Sequence, residues 1–299
     1  MAIVRAAADR RRRLTQAAPA PAANLTAGVA EIAFARRGGA TRLAHLYQHD
    51  PMRVLFPMPE PGDAALAVLV TTSGGLVAGD RMAIDVRAEP GAIAHVTASA
   101  AEKVYRSTGA TTRIVQHFAV EAGGWLECLP PETIVYDGAR LRRSTRLDLG
   151  EGAGFLGGGI LVFGRRARGE RFTRGLLHEH WEVSRGDWLV WGDALHLDGD
   201  IAGLIANPAG FDAAAACATL LLAPPGGEPR DFIANARAVL EASLAPGLRG
   251  AVTAVGGLLV ARWLAADPPP LRRAYASLAC HLRQAAMGLP PRLPRLWHA

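Results

Sequence analysis

The chain has 299 residues, of which 50% are hydrophobic, and contains 33 glycines and 20 prolines, a composition that fits many short strands and turns and excludes a disordered chain or a coiled coil. Its net charge of +6 comes largely from arginines near the two ends, and only 6% of its residues are aromatic, which argues against a nucleic-acid-binding surface. No apolar run reaches the roughly 20 residues that a membrane helix needs.

Residues 1–27 are rich in Arg, Ala and Pro and lack an apolar segment of the kind found in signal peptides. We expect them to form a disordered tail, and residues 28–299 to form a single domain. Three cysteines, Cys128, Cys217 and Cys280, are odd in number and far apart, which argues against a disulfide framework and favours a cytoplasmic location.

Strands are predicted from residue 28 onward, because apolar and polar residues alternate in short segments. These segments are 29–34, 43–47, 66–70, 82–86, 92–98, 111–120, 125–129, 141–149, 160–163, 176–183 and 188–195. Their short, regular spacing without intervening helices predicts a mainly β fold with a multi-stranded β-helical or sandwich-like architecture.

Two α-helices are predicted near the C-terminus, over residues 231–244 and 271–287, where apolar residues recur at helical spacing. Between them, residues 251–255 and 258–263 predict a pair of strands that turns at Gly256 and Gly257.

A glycine-rich stretch, residues 71–80, lies between two predicted strands. Gly74, Gly75 and Gly79 permit positive φ angles and close backbone approach, and Asp80 places a carboxylate at the exit. The stretch is neither a P-loop, which ends in Gly-Lys-Ser/Thr, nor a dinucleotide fingerprint. A structural turn, a cation site and a partner contact remain open.

Two histidines, His178 and His180, flank Glu179, and on a strand both would point the same way, as a nickel or zinc site requires. No third ligand lies close in sequence, and an exposed polar strand face would give the same pattern. A metal-dependent enzyme on a β scaffold is therefore one alternative. A nucleic-acid-binding module is another.

Several short motifs occur in a definite order between residue 28 and the end of the chain. They are Gly74-Gly75 with Gly79-Asp80, Lys103-x-Tyr105-Arg106-Ser107, Leu126-Glu127-x-Leu129-Pro130, Gly138-Ala139, Gly164-Arg165 with Gly169-Glu170-x-Phe172, Leu195-His196-Leu197 and Leu293-Pro294-Arg295-Leu296-Trp297. Taken together, the set resembles the UreD (also called UreH) family of urease accessory proteins.

The resemblance implies a non-enzymatic, mostly β scaffold. Such a protein binds the urease apoprotein and the accessory protein UreF, which recruits the GTPase UreG, and the assembly delivers nickel to urease at the expense of GTP. The resemblance implies no tightly bound cofactor, only the transient passage of Ni²⁺, and neither a nucleic-acid nor a membrane partner.

Acidic positions of an internal metal route carry over to Asp80 and Asp193, and Glu170 matches a further acidic motif position that we assign to the same transient nickel path. The motif residues with a structural role are Gly74, Gly75, Gly79, Lys103, Tyr105 and Arg106. A third carboxylate of the family has no counterpart, because residues 157–159 are all glycine.

Overall fold

Two β-sheets that pack face to face form the core of this computed structural model, which describes residues 27–298. The disordered tail predicted for residues 1–27 lies outside the described residues, except for Ala27, the first residue of the first strand.

The first sheet has seven strands in the order β14-β13-β11-β8-β5-β1-β2. Their bounds are β1 Ala27–Arg37, β2 Ala40–His49, β5 Arg81–Ala88, β8 Thr112–Val120, β11 Arg140–Leu149, β13 Arg174–Arg185 and β14 Trp188–Asp200.

The second sheet has ten strands, with β16-β17-β15-β12-β9-β6-β4-β3 as its main order and with β10 and β7 attached beside β12. Their bounds are β3 Met52–Leu55, β4 Ala65–Thr71, β6 Ile93–Ala98, β7 Glu102–Val104, β9 Trp125–Cys128, β10 Thr133–Val135, β12 Gly154–Phe163, β15 Ala216–Ala223, β16 Leu248–Val255 and β17 Leu258–Ala265.

The central strands of both sheets are parallel. In the first sheet β1, β5, β8, β11 and β13 run in the same direction, and in the second β4, β6, β9 and β12 do. The chain crosses from one sheet to the other between β4 and β5 and back between β5 and β6, and it alternates between the sheets again from β8 to β13. It therefore coils around a shared apolar core. This arrangement confirms the predicted mainly β, β-helical architecture.

Three α-helices complete the described chain: α1 Ile201–Ala206, α2 Arg230–Ser243 and α3 Pro268–Met287. The two predicted helices are confirmed as α2 and α3, and α3 starts earlier than predicted because prolines are compatible with the first turn of a helix. Helix α1 was not predicted, since six residues are too few to show a helical period. No helix in the described part of the chain is long and apolar enough to cross a membrane.

Helices α2 and α3 cover the outer face of the second sheet, where a second apolar cluster forms around Trp125, Trp263, Tyr275 and Trp297. The rings of Tyr275 and Trp297 stack with their centroids 5.8 Å apart. The C-terminal segment is therefore packed against α3 and the sheet.

Arg283 of α3 is the cation of a buried ion cluster beneath this layer, and only 1% of its side chain is exposed. Its Nε lies 3.0 Å from Oε1 of Glu127 on β9, and its Nη2 donates to Oδ1 of Asp63 in the loop before β4. Its Nη1 donates to the carbonyl oxygens of Pro290 and Arg292. One guanidinium thus joins a helix, a strand, a loop and the C-terminal segment.

Glu127 is fully buried and also contacts His95, whose Nδ1 lies 2.7 Å from Glu127 Oε2. Burial alone would raise the pKa of Glu127, but the hydrogen bond with His95 and the charge of Arg283 outweigh it and hold this pKa below its usual value. The Glu127 carboxylate is therefore ionised inside the protein.

We predict that Glu127→Ala and Arg283→Met each lower the free energy of unfolding by about 3–5 kcal/mol, because each removes an opposite charge from a buried ion cluster. The double variant should lose clearly less than the sum of the two single losses. Urea unfolding followed by tryptophan fluorescence measures all three. Arg292→Met is the control, since the Arg292 side chain is half exposed, 3.9 Å from Asp63. An Arg283→Met loss no larger than that of this control would contradict the prediction.

Candidate functional site

The glycine-rich stretch forms a turn between β4 and β5 that is pinned against β7. Gly75 has a φ of +145°, and a Cβ at this position would lie 2.5 Å from Cε2 of Tyr105. The Tyr105 hydroxyl donates to the Gly74 carbonyl oxygen at 3.2 Å, and Leu76 N donates to the Lys103 carbonyl oxygen at 2.7 Å. Glycine is therefore required at position 75 by both backbone angle and space.

Asp80 closes this turn. Its side chain is 5% exposed, and its Oδ2 accepts a hydrogen bond of 2.9 Å from Val77 N. Its own N–H donates to the Val77 carbonyl oxygen at 3.1 Å. The carboxylate is thus used by the backbone of its own turn, as in the structural alternative left open by the sequence.

Two cavities lie side by side between the sheets. The turn-side cavity, of about 160 Å³, is lined by Gly74, Gly75, Glu102 and Lys103 among others. The inner cavity, of about 90 Å³, is lined by Glu179 and Asp193 among others. Both cavities share the lining residues Gln116, Pro130, Pro131, Thr133 and Arg143.

Arg143 of β11 stands between the two cavities. Its Nε lies 2.8 Å from Glu179 Oε2, and its Nη1 lies 3.0 Å from Thr133 Oγ1. Burial raises the pKa of Glu179, although the charge of Arg143 opposes this shift. Glu179 Oε1 is buried with no hydrogen-bond partner in the described part of the chain.

Glu102, at the start of β7, is the carboxylate of the turn-side cavity. Its Oε2 accepts a hydrogen bond of 2.7 Å from Thr71 Oγ1. Burial raises its pKa, and the hydrogen bond from Thr71 opposes the shift. Lys103, the only lysine of the chain, lines the same cavity. The wall of the turn-side cavity therefore contains both an acidic side chain, that of Glu102, and a basic one, that of Lys103.

Of the three predicted acidic positions, Asp193 lines one of these two cavities, whereas Asp80 and Glu170 line neither. Asp193 lies in the middle of β14, which continues beyond the predicted segment 188–195 to Asp200. Its side chain is 32% exposed, and its Oδ2 lies 2.8 Å from Nη2 of Arg262 on β17. Asp193 thus bridges the two sheets at the inner cavity.

Glu170 lies apart from both cavities, in a polar cluster at the surface. Its Oε1 accepts from Asp137 N at 2.9 Å, and its Oε2 accepts from Arg165 Nε at 2.9 Å. Burial would raise the pKa of Glu170, but the hydrogen bond from Arg165 and the backbone donor of Asp137 hold it below its usual value. Glu170 therefore forms an ion pair with Arg165 of its own loop.

The motif residues nevertheless meet at one end of the molecule. The rings of Tyr105 and Tyr136 make an edge contact at 4.9 Å, and the Arg165 guanidinium lies 4.7 Å over the Tyr136 ring. Arg106 packs over Gly138, where a Cβ would come within 3.0 Å of it. Segments far apart in sequence thus form one surface beside the turn-side cavity.

The three glycines at residues 157–159, where the family resemblance implied a carboxylate, lie in β12. A Cβ on Gly158 would lie 1.9 Å from the Thr219 carbonyl oxygen of β15, whereas at Gly159 the nearest atom would be Arg143 Nη2 at 3.9 Å. Close strand approach therefore excludes any side chain at position 158 but leaves room at position 159.

Two cysteines, Cys128 and Cys217, also line the inner cavity. Burial raises the pKa of both thiols to about 12, which keeps them protonated and unreactive. Sequence spacing gave no sign that these two cysteines share a cavity, because they lie on different strands.

His178 and His180 point the same way, as predicted, onto the outer face of the first sheet, with ring centroids 6.3 Å apart. The polar contact of His178, however, is with His196 on β14, whose Nδ1 lies 3.2 Å from His178 Nδ1. No group of three or more His, Cys, Asp or Glu in residues 27–298 is arranged to hold a metal ion. The geometry of these residues thus does not support a catalytic metal held by His178, His180 and a carboxylate.

Sequence reasoning missed Glu102, Arg143 and Glu179, the polar residues between the sheets. The sequence did contain a signal for Glu179. It lies two residues from both Leu177 and Trp181, so on a strand its side chain points to the same, inward face as theirs.

A model of the family described as UreD urease accessory protein matches residues 26–298. The chain is 46% identical over 272 residues to the urease accessory protein UreD of Magnetococcus marinus, covering 90% of this chain and 93% of the relative. It is 41% identical over 266 residues to the urease accessory protein UreD 1 of Methylobacterium radiotolerans, covering 89% and 88%. It is 40% identical over 259 residues to that of Azorhizobium caulinodans, covering 87% and 91%.

We predict that Asp80→Ala lowers the free energy of unfolding by about 1–3 kcal/mol, because the Val77 N–H loses its side-chain acceptor in a buried turn. Asp80→Asn is the matched control, since its amide oxygen still accepts this hydrogen bond, and its loss should be clearly smaller. Urea unfolding measures both. An Asp80→Ala variant as stable as the parent chain would show that the turn does not need this carboxylate.

Proposed function

Because the chain belongs to the UreD family of urease accessory proteins and so has a role in urease maturation, we propose that it acts as a non-enzymatic scaffold for nickel delivery. In this proposal it binds the urease apoprotein and UreF in the cytoplasm, and through UreF the GTPase UreG. Ni²⁺ is cargo that passes transiently, and GTP is hydrolysed by the partner.

The observation that carries the metal part of the proposal is the pair of cavities between the sheets. Their walls contain three carboxylates, those of Glu102, Glu179 and Asp193. Glu179 and Asp193 are paired with Arg143 and Arg262, and carboxyl groups gathered in cavities between two sheets support a role that involves cations.

The ligand chemistry of these cavities suits transit more than storage. Carboxylate and hydroxyl oxygens hold nickel weakly compared with imidazole or thiolate. The two thiols of the inner cavity remain protonated at neutral pH, because burial raises the pKa of Cys128 and Cys217 to about 12.

Arg143 lies where a nickel ion would have to pass from one cavity to the other. Its positive charge, shared by the walls of both cavities, repels a dication at their junction. We therefore include in the proposal that the Arg143 side chain moves aside during delivery, within the assembled complex.

Of the three acidic positions assigned to the nickel path, we retain Asp193 and propose that Asp80 and Glu170 act structurally. Asp80 is used by its own turn and Glu170 by Arg165 and Asp137. Both uses support a role in shaping the motif surface for partners.

Our test changes Asp193 to Ala in cells that coexpress urease and the other accessory proteins. We expect the complex with UreF and UreG to assemble, as judged by pull-down, and the nickel content of urease to fall severalfold, because the inner cavity loses a carboxylate. Metal analysis of purified urease gives the second readout.

Asp198→Ala is the matched control, since Asp198 is an exposed carboxylate on the same strand that does not line the cavity. Normal nickel content in the Asp193→Ala sample would remove Asp193 from the route. Failure of the parent chain to associate with UreF or urease would refute the scaffold proposal itself.

A further inference from the structure

The outer face of the hairpin β13–β14 carries a histidine pair that the internal route does not use. His178 and His196 are directly opposite each other in the antiparallel register. Their Nδ1 atoms lie 3.2 Å apart, and their ring centroids are 5.2 Å apart with the planes at 70°. His196 is exposed and His178 partly so, and both are therefore accessible to solvent.

The distance between the two nitrogens matches the distance between two neighbouring ligand atoms of one metal ion. Imidazole nitrogens bind zinc at about 2.0–2.1 Å, and two such bonds ending 3.2 Å apart enclose an angle of roughly 100°. This angle lies between those of octahedral and tetrahedral geometry, so that nickel and zinc both fit.

The backbone holds the pair in position. Directly opposed residues on neighbouring antiparallel strands keep their Cβ atoms about 4.5–5.5 Å apart. Residues 174–185 and 188–200 pair along almost their whole length, so the two rings need little rearrangement to bind a common ion.

Arg142 of β11 lies directly beside His178 in the parallel register. Its positive charge repels a bound dication, which keeps the site weak and exchangeable.

We propose that His178 and His196 chelate a divalent transition-metal ion, Ni²⁺ or Zn²⁺, through their Nδ1 atoms, with water in the remaining positions. The site has two protein ligands and is open to exchange. It lies on the opposite face of the two strands that carry Glu179 and Asp193 toward the inner cavity. The chelate stands on its own geometry and does not rest on the proposed scaffold function.

The test titrates Ni²⁺ alone into the untagged, full-length, metal-free protein by calorimetry at neutral pH. The parent chain should bind, and His178→Ala and His196→Ala should each weaken this binding by about tenfold or more, since even loss of an outer-shell partner costs 10–100-fold. His180→Ala is the matched control, because its ring is on the same face but its partner is Glu182, at 3.8 Å. Its affinity should equal that of the parent.

A second readout uses Zn²⁺ and the imidazole nitrogen resonances. Coordination should shift the Nδ1 signals of His178 and His196, whereas a simple hydrogen bond between the rings would leave them unchanged on titration. Absence of Ni²⁺ binding at millimolar concentration, or equal affinity in the His178→Ala and His196→Ala proteins, would overturn the proposal. An equal loss in His180→Ala would overturn the two-histidine assignment.

None of these measurements involves urease, UreF or UreG. A negative result would leave the scaffold proposal untouched, and a failed pull-down would leave the chelate untouched.

Discussion

The buried guanidinium of Arg283 is the contact on which the arrangement of the outer layer depends. A buried charge that loses an opposite charge is costly, so the position of α3 that returns Arg283 to Glu127 is strongly favoured. Glu127 and Cys128 are consecutive residues of β9, one facing the ion cluster and the other the inner cavity. The strand that anchors α3 is thus also a wall of the candidate site.

Polar side chains lie between the sheets because successive residues of a strand point to opposite faces of its sheet. On β13 the outward His178 is followed by the inward Glu179, and on β14 the outward His196 and inward Asp193 are three residues apart. One hairpin therefore presents nitrogen ligands to solvent and carboxylates to the interior. The interior carboxylates are tolerated because Arg143 and Arg262 pair with them.

Local patterns were sufficient to predict most strands, the two long helices and the glycine turn, since these depend on neighbours in sequence. The contacts of the site are long-range, and the sequence did not predict them. His178 was matched with His180, two residues away, whereas its polar contact is with His196, because strand register is set across a hairpin. The sequence singled out Asp80 and Glu170 as motif positions, but what their carboxylates can do depends on their partners. These are a backbone N–H of the same turn for Asp80, and Arg165 and Asp137 for Glu170.

Both sides of the parallel stack in the first sheet end in a strand of opposite direction, β2 on one side and β14 on the other. A second molecule that extended the first sheet would have to pair with one of these edges. Each edge bears charged or ionisable side chains, Arg42 and His45 on β2 and Asp198 and Asp200 on β14. Open strand edges are templates for pairing with another chain, and repetitive folds need end units with a polar outer face to remain in solution. The antiparallel strands β2 and β14 thus end the first sheet on both sides and disfavour its extension by a second molecule.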